Sequence, residues 1–268
     1  MGRFQKLEKT PSSAGLPDGA QPSAPPEEVA QRQDAVGLNE YPEAIGLGDE
    51  AFYAGDYRLA LRHYSRALQA ESGQIYPWVG QLNALLMLRQ FKEADVWTNR
   101  ALELFPEEPT VLSQRARVFA HMGDTKRAIG VSDYAMTRGA SEWVWLGRGE
   151  VLLLARNPNS RFCFEKAVEM AGKTNWQVPF LAGLILMGDK NHAAAAEFLA
   201  IAAERNTRHA NIWEVYAQVL AKLNFMERAR EAARRAAELR PRKSSTSALP
   251  ADLESRGVID RLLGFLRR

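Results

Sequence analysis

The stretch LGDEAFYAGDYRLALRHYSRA (residues 47–67) decides how the whole chain is read. Gly55-Asp56 interrupts one helical pattern, and a second begins at Tyr57 with Ala60 and Ala67 on one face. Residues seven apart lie two turns along the same side of a helix, and small residues at both places let another backbone come close. The pair recurs. Ala60 is followed by Ala94, Ala128, Ser160, Ala193 and Ala229, at spacings of 34, 34, 32, 33 and 36 residues. Ala67 is followed at the same spacings by Ala101, Ala135, Ala167, Ala200 and Ala236. Breakers precede most of these helices, among them Gly123-Asp124, Asn157-Pro158, Gly188-Asp189 and Asn224. No run alternates apolar and polar residues, and the 3.6-residue period dominates, so the spacing predicts an all-α fold.

These residues resemble the tetratricopeptide repeat, two antiparallel helices with a period of about 34 residues. Leu47-Gly48, Ala60, Tyr64 and Ala67 match its pattern in the first repeat, and Trp213, Ala217, Ala229, Ala236 and Pro241 in the last. The second repeat departs from it, with Gln81-Leu82 where Leu-Gly belongs. The repeats fall near 41–74, 75–108, 109–142, 141–173, 174–207 and 210–243. The resemblance implies a right-handed superhelical solenoid of about six hairpins. One hairpin cannot bury its apolar stripe alone, so neighbours stack into a continuous core. Pro179 is tolerated only in a first turn, which places the start of that helix near Val178.

The flanks read differently. Residues 1–40 are expected to be largely disordered, since 10–26 (TPSSAGLPDGAQPSAPP) are Pro, Ser, Gly and Ala with one large apolar side chain, Leu16. Residues 244–251 read as a linker. Residues 252–268 carry Val258, Ile259, Leu262, Leu263 and Leu266 on one stripe, which suits a capping helix. The net charge of +3 gathers at this end, where residues 227–268 hold eleven basic side chains against six acidic ones. Interleaved aromatics are lacking there, so no nucleic-acid partner is expected. No apolar run resembles a signal peptide or spans a bilayer, which makes the cytoplasm the expected compartment.

Chemistry is sparse. His63, His121, His192 and His209 fall at unrelated repeat positions, and the one cysteine, Cys163, has no activating neighbour in sequence. The glycines of Gly46-Leu47-Gly48 lack the preceding strand that a dinucleotide site needs. No catalytic set, metal or cofactor is expected. The resemblance implies that the first helix of each repeat lines a concave surface. At those places it puts Phe52, Tyr76, Val79, Asn83, Leu86, Arg117, Trp145 and Gln218, an apolar set with amide and charged groups suited to a peptide. Some relatives grip a C-terminal carboxylate through Lys, Asn and Arg. The matching places here hold Ile45, Asp49, Gly80, Thr110 and Gln114, so that ligand is not expected. The chain therefore reads as a non-enzymatic scaffold that binds a protein or peptide in its concave groove. The alternatives are self-assembly into an oligomer through the solenoid ends, or membrane contact through Arg256, Arg261, Arg267 and Arg268.

Overall fold

The computed structural model describes residues 26–240, with side chains from Glu40 onward. The chain divides into two compact units, Met1–Asn39 and Glu40–Arg268, and the hairpins belong to the second. Twelve helices and no strand occur among the described residues. They run α1 (Pro26–Tyr53), α2 (Tyr57–Ala70), α3 (Ile75–Met87), α4 (Phe91–Leu104), α5 (Pro109–His121), α6 (Thr125–Arg138), α7 (Glu142–Leu154), α8 (Ser160–Met170), α9 (Gln177–Gly188), α10 (His192–Arg205), α11 (Ala210–Lys222) and α12 (Met226–Leu239). Pro179 sits in the first turn of α9, as its chemistry requires. Helix α1 starts well before residue 41, so residues 26–40 are helical where the sequence suggests disorder. Pro26 at the first turn, followed by Glu27 and Glu28, is a favourable helix start, and the Pro-rich composition ends there. The linker at 244–251 and the amphipathic segment 252–268 lie outside the described residues.

One backbone device makes all six hairpins. The second residue after each first helix adopts a positive φ: Gly55, Arg89, Gly123, Arg156, Lys190 and Asn224. The next N–H then reaches back five residues, as in Asp56 to Ala51 O at 2.9 Å, Asp124 to Phe119 O at 2.9 Å and Phe225 to Leu220 O at 3.0 Å. This is the Schellman ending, which satisfies a helix-terminal carbonyl and reverses the chain. Only two of the six positions are glycine, so the fold holds four side chains in the less favourable left-handed region. Asp56, Asp124 and Asn191 then cap the second helices with their side-chain oxygens.

The helices of a hairpin meet through a small residue set against a large one. A Cβ on Gly48 would lie 2.7 Å from the Tyr64 ring, one on Gly149 2.8 Å from Phe164, and one on Gly183 2.6 Å from Leu199. In the second hairpin the sizes are exchanged: Leu82 stands at the glycine's place and Thr98 at the aromatic's, both wholly buried. The departure from Leu-Gly at Gln81-Leu82 is thus a volume-conserving swap. Tyr64 is held on a second side too, where a Cβ on Gly80 of α3 would come within 2.7 Å of its ring.

The alanine series needs one adjustment. Ala60, Ala94, Ala128 and Ala229 are buried, but Ala193 is exposed and Ala195 fills its place, with Ala202 rather than Ala200 one face along. The 36-residue spacing from Ala193 to Ala229 would put two extra residues ahead of the sixth repeat, but they lie between α8 and α9. Ala94→Leu or Ala128→Leu puts extra methylene groups where no space is left. Each is expected to lower stability by about 1–3 kcal/mol in urea unfolding. Stability equal to wild type at both places would mean that the helices do not touch there.

The stack curves until its two ends meet. Tyr53, at the end of α1, packs edge to face on Trp176 with ring centres 4.8 Å apart. The Asn211 amide on α11 donates to the Tyr53 carbonyl oxygen at 2.7 Å. Phe180 and His209 also pack on Trp176, so the first hairpin closes on the fifth and sixth. Phe52, Phe164, Phe180 and Leu199 consequently share one apolar core.

Candidate functional site

Six first helices facing a shared interior should place one side chain per repeat on that surface. At the start of the second, third and fourth, these are Tyr76, Thr110 and Trp143. Together with Phe52, Val79 and Asn83 they line a cavity of about 280 Å³ between α1, α3, α5 and α7. Tyr76 is half exposed at its edge. Asp49 organises the wall, accepting from the Tyr64 hydroxyl at 2.7 Å and from the Tyr76 hydroxyl at 2.8 Å. Burial and the neighbouring Asp49 carboxylate both push the Tyr64 and Tyr76 phenols up, so they remain neutral donors.

Of the residues predicted from sequence, Phe52, Tyr76, Val79 and Asn83 are gathered at this cavity. Leu86 and Arg117 line a second one, of about 310 Å³, near the C-terminal ends of α3, α5 and α7. Trp145 does not face the first cavity. It turns toward α8, where it packs edge to face on Phe162, and Trp143 takes the inner place. The fourth repeat is short, so a frame counted from the alanines slips by one residue there. Counting from the positive-φ residue of each hairpin turn restores it. Gln218 lies on α11, half buried and apart from both cavities.

Arg117 is not free to meet a partner. Its Nε donates to Glu150 at 2.5 Å, and its Nη1 donates to the side-chain oxygens of Asn83 at 2.5 Å and Gln114 at 2.8 Å. His121 Nε2 lies 2.7 Å from the other Glu150 oxygen, and its ring stacks on Phe91. This buried network ties α3, α5 and α7 together. Burial alone would raise the Glu150 carboxyl, but the Arg117 guanidinium and the His121 hydrogen bond outweigh it and hold it at about 2. Because the Asn83 oxygen accepts from both Gln114 and Arg117, only its NH2 group can turn to a ligand.

Among the described residues no group of three or more His, Cys, Asp or Glu is placed to hold a metal ion. Cys163 is buried, and burial pushes its thiol up, away from the reactive thiolate. No described helix is long and apolar enough to cross a membrane.

No family model matches the chain. It is similar to sperm-associated antigen 1 of Mus musculus, 33% identical over 107 residues, 38% of this chain and 12% of that protein. The chain thus spans about an eighth of the length of that curated relative. Among solved structures it is similar to TTC0263, a thermophilic tetratricopeptide protein of Thermus thermophilus, at 17% identity and a TM-score of 0.49. That match covers 68% of this chain and 99% of the other. It is also similar to YrrB, a tetratricopeptide protein described as having an unusual peptide-binding site, at 20% identity and a TM-score of 0.38, over 67% and 93% of the two chains. The period near 34 residues, the six matching hairpin turns and the small-on-large contacts within hairpins make the chain a solenoid of tetratricopeptide-type repeats.

Proposed function

We propose that the chain is a protein-interaction module that receives an extended segment of a partner protein in its concave surface, with one long side chain seated in the cavity between α1, α3, α5 and α7. The observation that carries this reading is the cavity itself, open at its edge and walled by Tyr76, Val79 and Trp143. A concave apolar site with a few fixed polar groups is what a recognition site requires, since the apolar wall supplies burial and the polar groups orient the ligand. The rest of the inner face offers less: Phe52 and Leu86 are buried, and Arg117 is engaged with Glu150.

Panning a display library of peptides on the immobilised protein tests this directly. Enriched peptides should share one long or bulky anchor residue. The half-buried Val79 can be replaced by arginine, which fills the cavity without entering the hairpin core. Val79→Arg should weaken the selected peptides at least about tenfold, a loss of roughly 1.4 kcal/mol, while helical circular dichroism and melting stay as in wild type. Equal binding to a folded Val79→Arg protein would place the ligand on another surface.

A further inference from the structure

The walls of this cavity have a chemistry more particular than a plain apolar hole. Aromatic rings surround it, contributed by Phe52, Tyr53, Tyr64, Tyr76 and Trp143, and one carboxylate, Asp49, lies among them. Both tyrosine hydroxyls that reach Asp49 donate their protons to it, so neither phenol offers a proton to the cavity. Among the described residues no Lys, Arg or His pairs with Asp49. The site is therefore rich in electron density and lacks a cation to balance it. An anion would be repelled, and a purely aliphatic group would leave the carboxylate without a counter-charge.

The kind of cation follows from what the walls can satisfy. An unmodified lysine ammonium is strongly hydrated and carries three protons that need acceptors. A guanidinium carries five. Of the carboxylate and amide acceptors on the wall, the two Asp49 oxygens each already accept one bond and the Asn83 oxygen already accepts two, which leaves the phenol oxygens and the Thr110 hydroxyl as weaker acceptors. A trimethylated ammonium has no N–H to satisfy, sheds water at lower cost and is attracted to ring faces. We infer that the cavity is a recognition site for a trimethylammonium group, presented as a trimethyllysine side chain on the partner segment. This rests on the peptide-binding reading above and names the anchor that fills the cavity. A protein source is favoured over a choline headgroup because the opening lies in the concave face, between first helices, where an extended chain can follow the groove and a flat bilayer cannot.

The test uses the full chain and defined probes: N-acetyl-trimethyllysine amide, the same compound with unmodified lysine, and its uncharged isostere with carbon in place of the quaternary nitrogen. Binding is read from tryptophan fluorescence, since Trp143 lines the site. The trimethyllysine probe should saturate, with both other probes at least about tenfold weaker, as expected for a desolvated cation on aromatic faces. Tyr76→Ala should abolish the difference between the charged probe and its isostere. Tyr76→Phe, which keeps the ring and gives up the bond to Asp49, should retain most of it and guards against a misfolded alanine variant. Equal binding of the carbon isostere would overturn the cation and leave the peptide reading standing. Peptides selected by display that bind while no trimethyllysine probe does would have the same effect. Failure of both probes and display would remove both readings. Choline-headgroup vesicles sedimenting the protein more strongly than trimethyllysine competes would overturn the protein source.

Discussion

Glu150→Ala is expected to destabilise the protein by about 3–5 kcal/mol, the cost of leaving one charge of a buried pair alone. Arg117 and Glu150 are 6% and 5% exposed, so water cannot replace the lost partner. The Arg117 guanidinium would keep only the amide oxygens of Asn83 and Gln114, and His121 would lose its carboxylate. Removing both charges should be far milder. Arg117→Met with Glu150→Leu is expected within about 2 kcal/mol of wild type, because an apolar replacement carries no desolvation cost. The pair also sets an acid dependence. Glu150 is held at about 2 against its ordinary 4.5, so its stabilising contribution is complete above about pH 4.5. That contribution, about 3 kcal/mol, is lost as pH falls from 4.5 toward 2. In urea unfolding between pH 6 and 3 the wild type should therefore lose stability relative to the double variant as pH falls. Parallel pH profiles would show that Glu150 is not held down.

Phe164→Ala should cost about 3–5 kcal/mol, since its ring is wholly buried and fills the space left by Gly149. The exchanged pair Leu82 and Thr98 supplies a specific rescue. In wild type, Gly149→Leu should itself be destabilising, because even its Cβ would stand 2.8 Å from the ring. In the Phe164→Ala background the same leucine enters the vacated space and should recover about 1–2 kcal/mol. The two substitutions must therefore be strongly non-additive. Additive costs in urea unfolding would show that the two residues do not share one space, and would undo the size-exchange account of the hairpins.

The architecture was legible because it is local and repeated. Each hairpin is made by a breaker near a fixed place and by small residues two turns apart, and both are written in a short window. Six repetitions let errors in one copy be outvoted by the others. The site was legible in part for the same reason. Tyr76, Val79 and Asn83 stand in the second repeat, where the spacing from the first is regular. Trp143 was missed because the fourth repeat is short and its first alanine is Ser160, which moved the frame by one residue, so that the place of Tyr76 and Thr110 fell on Glu142 and the place of Val79 on Trp145. The signal that would have found it is the hairpin turn ending at Asn157, which fixes the end of α7 independently of the alanines.

Sequence by itself determined the all-helical class and the number of hairpins, because period and breakers act over a few turns, while the inward place of the first helices was only implied by the resemblance. Only the tertiary structure decided what that inner face is like. Tyr53 meets Trp176 and Asn211 because small rotations between successive hairpins add up over five repeats. No local pattern encodes that sum. The same closure buries Phe52 and leaves the remaining space as a cavity. Arg117 and Glu150 lie on neighbouring first helices, 33 residues apart. In the sequence they are ordinary charged side chains on solvated helices. Their burial as a pair depends on how tightly α5 and α7 approach, and that approach is set by side-chain volumes summed across the whole interior.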